Sequence, residues 1–433
     1  MRIGPKNLQI SFTSEQLTRY GGVYLLTQFI RRLKLKQLIH DEIRLTRRNN
    51  RYSVAEELLA LLYPMMLGVQ RIEATHLLKR NGVFQYLTGL PAYPNPTTLR
   101  RFLIQLAPLL TPRQRQLHDQ LLARMMHQPK GAHQLALDLD STVLTVYGHQ
   151  QGTAIGYNPQ KRGRPSYHPL LCFEALSKDY WHGELRPGNV HTGSGADAFL
   201  EAVFAKIPPT VKTVLIRADK GFYNHVVVEK IEAKKAHFIL VAKLTQPIKR
   251  KLGGLTYTPI GHGAEAAEFA YQPLHWRRPY RFVVIRRPIP DDPSEPLKLL
   301  PLGRYVYQVL VTNLKLKPPT VWRRYNLRAA IELIIKELKA DYPLAKIPTA
   351  NFAANEAYFH LLLFAYNLVN WFKRLCLPAE YQRLTLKTLI AQIMLTPAEL
   401  VRIGNRPVFK LPTNFPHQQA WKHALRKIDR LKI

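Results

Sequence analysis

The sequence predicts a layered α/β core flanked by helical segments at both ends. Two observations carry that prediction. Between residues 131 and 244, short apolar or alternating runs recur with helical stretches between them, the pattern of strands alternating with helices. Before residue 130 and after residue 350, apolar residues recur at helical spacing. A third feature interrupts the core. Residues 245–303 are crowded with Pro247, Gly253, Gly254, Pro259, Gly261 and Gly263, with short strands such as Arg281 to Ile285 among them. That stretch reads as a β-rich insertion, after which the α/β pattern resumes over 304–349.

The elements follow in order. Ser53 with Glu56 forms a capping box opening the run Val54 to Met66. Pro91, Pro94 and Pro96 make a loop before a short helix, Thr97 to Leu106. Thr111 with Pro112 reads as a second helix start leading to Met126. Gln134 to Tyr147 alternates and then turns β-branched, so it reads as a strand entering a hairpin. His168 to Ala175 is a further strand, Gly193 to Ala205 a helix, and Lys212 to Ala218 a buried strand. Asn224 to Lys234 is a helix, and His237 to Lys243 a strand. Tyr305 to Thr312 is a strand, followed by one long helix, Val321 to Lys339. Residues 350–433 read as helical.

The charge is far from balanced. The chain has 433 residues, with 63 Lys plus Arg against 29 Asp plus Glu, a net charge of +34. Such a surface attracts polyanions, of which nucleic acid is the usual one. Short ribosomal proteins are also basic, but here the cations are spread through well-patterned apolar segments. Cys172 and Cys376 are far apart and no CxxC pair exists, which excludes a zinc finger. The N-terminus has no apolar signal run, and Leu361 to Val369 is too short to span a bilayer. A soluble, cytoplasmic protein with no membrane partner and no nucleotide cofactor is expected.

Several basic groups are candidate DNA contacts. Arg44, Arg47, Arg48 and Arg51 cluster in a loop suited to phosphates. Lys161, Arg162 and Arg164 surround Gly163 in another loop suited to the DNA backbone. Residues 70–106 admit a helix–turn–helix reading in which Arg71, Lys79, Arg80, Arg100 and Arg101 contact phosphates. The same residues also suit the solvated face of a helical bundle.

In a chain poor in acids, the position of each acid is informative. Asp138 and Asp140 share one face of a strand whose other face carries Leu135, Leu137 and Leu139. Like charges so placed repel unless a cation or solvent lies between them, and a solvent-facing edge strand is the other reading. Asp219 ends the run Val214 to Ala218 and is followed by Gly221, at a strand end where α/β sheets bind ligands. A helix cap is its alternative, weakened because the next helix starts near Asn224. On a continuous helix at about 100° per residue, Tyr325, Arg328, Glu332 and Lys339 occupy one stripe roughly 60° wide. Glu337 and Asp341 fall elsewhere. A surface salt-bridge ladder would use the same spacing. Three carboxylates from two strands and a helix suit a pair of hard cations such as Mg2+. Two such ions assist in-line phosphoryl displacement.

At these residues the sequence resembles a known family. Tyr325, Arg328, Glu332 and Lys339 meet the spacing Tyr-(2)-Arg-(3)-Glu-(6)-Lys. That is the signature of the DDE insertion-sequence transposases of the superfamily conventionally numbered four. Asp140-Ser-Thr-Val, Tyr147-Gly-His, Gly156-Tyr-Asn-Pro, Lys161-Arg-Gly-Arg and Tyr167-His-Pro-Leu are similar to its thirteen-eighty branch. So are Arg217-Ala-Asp-Lys-Gly-Phe-Tyr, Lys336-Glu-Leu-Lys and Asn355-Glu-Ala-Tyr. The resemblance covers roughly residues 130–375, and departs from the pattern in the apolar Ala329-Ala330-Ile331 before Glu332.

The resemblance implies an α/β fold with an RNase H-like catalytic core interrupted by a β-rich insertion and flanked by helical N- and C-terminal regions. Residues 1–130 would be a helical DNA-binding region, 131–244 and 304–349 the two parts of the core, 245–303 the insertion, and 350–433 a helical C-terminal region. It makes Asp140, Asp219 and Glu332 the catalytic and metal-binding residues, with two Mg2+ ions, replaceable by Mn2+. Without the family pattern, Asp138 competes with Asp140. It gives Tyr325, Arg328 and Lys339 phosphate contacts. Trp276 is the candidate for stacking on a flipped base, or else a buried sheet residue. The implied activity is excision of an element through end hairpins, followed by insertion elsewhere. Its partners are double-stranded DNA, as terminal inverted repeats and target, and a second copy of the chain in a homodimer. Tyr358, Phe364, Trp371 and Phe372 either supply the dimer contact or belong to the core. A DNA-binding descendant without chemistry and a host nuclease are the alternatives.

Overall fold

The computed structural model describes residues 12, 14–44, 51–90, 92–126, 134–289, 300–302 and 304–432. These form two compact units. One is drawn from residues 1–117, 341–348 and 368–433, the other from 118–340 and 349–367.

The second unit is built on a ten-stranded sheet. Its strands, in chain order, are β1 (Gln134–Ser141), β2 (Leu170–Glu174), β3 (Tyr180–Glu184), β4 (Thr213–Ala218) and β5 (His237–Val241). They continue as β6 (Thr258–Gly261), β7 (Ala264–Tyr271), β8 (Tyr280–Pro288), β9 (Leu300–Leu302) and β10 (Tyr305–Thr312). The order across the sheet is β6-β7-β8-β10-β5-β4-β1-β2-β3, with β9 on β10. Strands β1, β4 and β5 are parallel neighbours, and every other pairing is antiparallel. Parallel strands are expected to be apolar on both faces. Leu135, Leu137, Leu139, Ile216, Ala218, Phe238, Ile239 and Leu240 are buried accordingly.

Helices α1 (Ala196–Phe204) and α2 (His225–Ala233) pack on each other and on β3 and β5. Asn224 caps α2, its side chain accepting from Val226 N at 3.0 Å. Helix α3 (Gln246–Leu252) opens the 245–303 stretch. Strands β6 to β8 of that stretch do not form a separate body. They extend the same sheet through the β8–β10 pairing, from Arg281 opposite Thr312 to Pro288 opposite Tyr305. Their core includes Ala264, Ala266, Val283 and Ile285 with Leu310, Val321 and Tyr325.

One expectation fails in this unit, and one open alternative falls to the core reading. The long helix over 321–339 is two helices, α4 (Pro318–Asn326) and α5 (Ala329–Ala340). Between them the backbone tightens, with Arg328 N on Tyr325 O at 2.8 Å and Ile331 N on Arg328 O at 3.0 Å, both three-residue closures. The single-stripe argument therefore does not run across Leu327 and Arg328. Tyr358 and Phe364, offered as dimer contacts, are 5% and 2% exposed and belong to the interior.

In the first unit, Val54–Met66 is a helix with the expected capping box: Glu56 N donates to Ser53 Oγ, and Ser53 N donates to Glu56 Oε2 at 2.9 Å. Thr111 and Pro112 do not start a helix, because Pro96–Met126 is continuous and holds both Pro108 and Pro112. The amide that Pro112 lacks would have bonded the carbonyl of Pro108, so both disruptions fall on neighbouring turns. The C-terminal stretch is not wholly helical. Ala398–Ile403 and Arg406–Lys410 form a hairpin that pairs with Leu17–Thr18 in a three-stranded sheet. The helix Gln418–Arg430 follows. Trp371 and Phe372 are fully buried in this unit. Arg44 and Arg51 are exposed, and Arg100 is ion-paired to Glu73. Arg47 and Arg48 lie outside the described residues. Among the described residues no helix is long and apolar enough to cross a membrane.

Candidate active site

The sheet places two of the acids side by side. On the parallel pair β1 and β4, Leu139 is in register with Ala218. Asp140 and Asp219 are the next residue on each, at the carboxyl ends of adjacent strands. Adjacent strands lie about 4.8 Å apart, so the two carboxylates are set close by backbone geometry. Asp219 leaves the strand in extended conformation, and its Oδ1 accepts from Gly221 N at 3.0 Å, capping the short turn Lys220–Phe222. The cap alternative is thus partly realised, on a turn and not on α2. Gly221 is required there: a Cβ would meet Thr192 side-chain carbons at 2.9 Å and Asp219 Oδ1 at 3.0 Å.

Helix α5 brings Glu332, which is exposed, to a cleft that Asp219 also lines. The cleft holds about 390 Å³ and is lined by Asp219, Lys220, Tyr307, Gln308, Tyr325, Arg328 and Glu332, among others. Asp219 and Glu332 act on Asp140. Burial pushes the Asp140 carboxyl up to about 6, Arg328 opposes the rise, and the charges of Asp219 and Glu332 add to it. The Tyr325 hydroxyl is held up to about 12, mainly by burial, with contributions from the same three acids. Among the described residues, no three His, Cys, Asp or Glu side chains are gathered closely enough to hold a metal ion.

Arg328 accounts for part of that spacing. It is 4% exposed. Its guanidinium donates to Leu139 O at 2.9 Å and pairs with Asp140 Oδ1 at 3.1 Å. Burial alone would lower its pKa, but Asp140 and the neighbouring acids hold it above its ordinary value. The ammonium of Lys339 donates to Val143 O at 2.9 Å, and burial lowers its pKa. Both cations, read from the sequence as phosphate contacts, therefore have their charged heads turned into the protein. Tyr325 is 8% exposed and part of the apolar cluster under the sheet, so its hydroxyl is what it offers to the cleft.

Asp138 is committed to an arginine of the neighbouring strand. Its carboxylate receives two bonds from Arg217, Nε to Oδ1 at 2.6 Å and Nη2 to Oδ2 at 2.8 Å, with both side chains almost wholly buried. Arg217 also donates to the Arg324 carbonyl. The repulsion expected between Asp138 and Asp140 is relieved by an arginine for each. The motif that opens with Arg217 marks this arginine in the sequence but says nothing of its partner. Only the register, Asp138 opposite Arg217 on β4, pairs them.

Lys161, Arg162 and Arg164 are exposed on a turn held by the small sheet of Leu144–Thr145, Pro165–Tyr167 and Ala154–Ile155, the Arg164 guanidinium lying over the Tyr147 ring. Gly163 there has φ +73°, a left-handed conformation suited to glycine. Trp276 is 7% exposed, packed between Tyr223 and Tyr280 with ring centroids at 5.1 and 5.0 Å. Of its two readings, the structure has the buried one, and no face of the indole is open to a base. Lys220, Tyr307 and Gln308 line the cleft without having been singled out. Lys220 was legible only as the neighbour of Asp219, whereas Tyr307 and Gln308 come from β10 and carry no motif.

The chain belongs to the family described as Transposase DDE domain group 1, whose sequence model matches residues 2–433. None of the curated proteins matches it. Among solved structures it is similar to a piggyBac transposase in a synaptic complex with hairpin DNA, determined by cryo-electron microscopy. That similarity has a TM-score of 0.42 and 12% identity, covering 88% of this chain and 82% of the other.

Proposed function

We propose that this chain is a metal-dependent DNA transposase of the insertion-sequence type, in the superfamily conventionally numbered four and its thirteen-eighty branch. It excises its element by cutting at the terminal inverted repeats through end hairpins, and joins the freed ends to target DNA. The observation that carries this reading is the pairing of Asp140 and Asp219 at the ends of adjacent parallel strands, with Glu332 across one cleft, in a chain of the DDE transposase family. The strand order β3-β2-β1-β4-β5, with β2 antiparallel, supports an RNase H-like core.

Asp140, Asp219 and Glu332 would hold two Mg2+ ions, or Mn2+ in their place. The donor set is all carboxylate oxygen, as hard cations prefer. The raised carboxyl of Asp140, driven partly by its acidic neighbours, is the strain that a cation would relieve. Bound there, the ions would activate the attacking hydroxyl and stabilise the leaving oxygen of a phosphodiester. Arg328 is a positioning residue: it anchors Asp140 to the strand end and limits its repulsion from Asp219. The Tyr325 hydroxyl stays protonated at neutral pH, so it offers a donor to a phosphate oxygen. Lys220 at the cleft and Lys161, Arg162 and Arg164 on their exposed turn are cations free to meet the DNA backbone. Two ends must be cut together, which calls for two copies of the chain. The protein would act on the nucleoid in a bacterial cytoplasm.

The test is cleavage in vitro of a duplex carrying the element's end. Wild type with Mg2+ is expected to give nicked and hairpin products, and Glu332→Gln none. Absence of products from the wild type would overturn the proposal. Unchanged activity in Glu332→Gln would overturn the site.

A further inference from the structure

The arginines of the β-rich stretch are largely neutralised. Arg277 pairs with Glu229, Arg278 with Glu232, Arg281 with Glu268 and Arg286 with Glu265. The C-terminal hairpin Ala398–Ile403/Arg406–Lys410 is different. Arg402, Arg406 and Lys410 are exposed. Among the described residues none of the three has an ion pair or a side-chain hydrogen bond. Its one acid, Glu399, sits at the base, opposite Lys410.

The geometry of the tip is defined by register. Ile403 faces Arg406 and Arg402 faces Pro407, leaving Gly404-Asn405 as a two-residue turn. Gly404 has φ +58°, which a tight hairpin turn needs at its first position. Cross-strand partners share a face and successive residues alternate. Arg402 therefore lies on the face of Leu400 and Phe409, the face that packs on Tyr24. Arg406 lies on the other, with Ile403, which is 60% exposed. The tip thus carries one unpaired arginine on each face of a ribbon whose last residues are all in solvent.

We propose that this hairpin is a wing that enters a groove of duplex DNA, Arg402 and Arg406 each reaching phosphates on one wall. Charge complementarity selects the partner. A ribbon with cations on both faces and a small turn at its apex matches a slot walled by phosphates on both sides. The idea rests on the transposase reading and adds to it a second DNA contact, in the unit that does not hold the carboxylates.

The experiment uses the full chain and a fluorescein-labelled duplex of mixed sequence, with affinity followed by anisotropy across a salt series. Arg402→Gln/Arg406→Gln removes two phosphate contacts. The slope of log K against log salt is expected to flatten by about 1.8, at about 0.9 per contact. Binding should weaken on the order of tenfold at physiological salt, with an unchanged unfolding midpoint. A photoreactive side chain at Asn405 is expected to crosslink to the duplex. A wild type that binds steeply, with a variant of equal slope and no crosslink at Asn405, would overturn the wing and leave the transposase reading standing. A wild type that binds no duplex would overturn both.

Discussion

Replacing Asp138 by Asn should destabilise the fold without any direct effect on chemistry. The magnitude follows from its pair with Arg217. Both side chains are 2–3% exposed, and two charge-assisted bonds join them at 2.6 and 2.8 Å. Asn replaces one of the two acceptor oxygens by an NH2 that faces the guanidinium donor to donor, and it leaves the positive charge buried and uncompensated. Breaking one side of such a pair costs about 3–5 kcal/mol. Replacing both partners together, as Asp138→Leu/Arg217→Met, removes the charge and should recover most of that loss. The remaining deficit is about 1 kcal/mol for the Arg324 carbonyl that loses its donor. Urea unfolding followed by fluorescence is the assay, because guanidinium salts would screen the charges under test. The double variant should also keep most of its end cleavage. The reasoning is refuted if Asp138→Asn unfolds at the wild-type midpoint. It is refuted equally if the double variant folds well yet cleaves no better than Asp140→Asn, for Asp138 would then be a ligand.

Three further outcomes are expected. Glu332→Gln alters an exposed side chain and should change stability by less than about 0.5 kcal/mol, while cleavage falls by about 10²–10⁴-fold, the loss of several kcal/mol of metal-dependent stabilisation. The folded value near 6 for Asp140 lies above its ordinary 3.8, so the folded state holds that proton more tightly. Its contribution to stability is most favourable below pH 3.8 and declines as pH rises through about 6. Measured against Asp140→Asn in chelator, wild type should lose about 2 kcal/mol between pH 4 and 7, and saturating Mg2+ should abolish the trend; a relative gain with pH would contradict it. Changing Lys161, Arg162 and Arg164 together to Gln should flatten the salt dependence of DNA binding by about three times 0.9, leaving cleavage at low salt; an unchanged slope would remove that loop from the DNA surface.

Much of the core was legible because its signals are local. The apolar runs ending at Asp140 and Asp219 mark strands whether or not their neighbours are known, and parallel pairing then sets the two acids together. What could not be read depends on contacts between distant residues. The interval from Tyr325 to Lys339 fits one helix by spacing and contains no Gly or Pro. Its break at Arg328 coincides with a side chain turned in to Leu139 O and Asp140, and no periodicity reports that. The same contacts explain why Arg328, a cation by composition, is not a surface group, and the bond of Lys339 to Val143 O turns that ammonium inward as well. Asp138 and Asp140 were equivalent as alternate residues of a strand; Arg217, on the neighbouring strand, separates them. Trp276 is followed by Arg277 and Arg278, cations that suit a DNA-facing loop, yet those arginines are held by Glu229 and Glu232 and the indole by two tyrosines. The C-terminal hairpin is hard to read from the sequence because its five- and six-residue strands lie within a long helical context, with only Gly404-Asn405 to mark the turn.

The central claim is that Asp140, Asp219 and Glu332 together hold divalent cations. The direct measurement is a Mn2+ titration of the protein with its end DNA, read by electron paramagnetic resonance. The account predicts two bound ions in the wild type and in Asp138→Leu/Arg217→Met. It predicts weakened or lost binding in each of Asp140→Asn, Asp219→Asn and Glu332→Gln. Binding of equal strength in all three amide variants would contradict it.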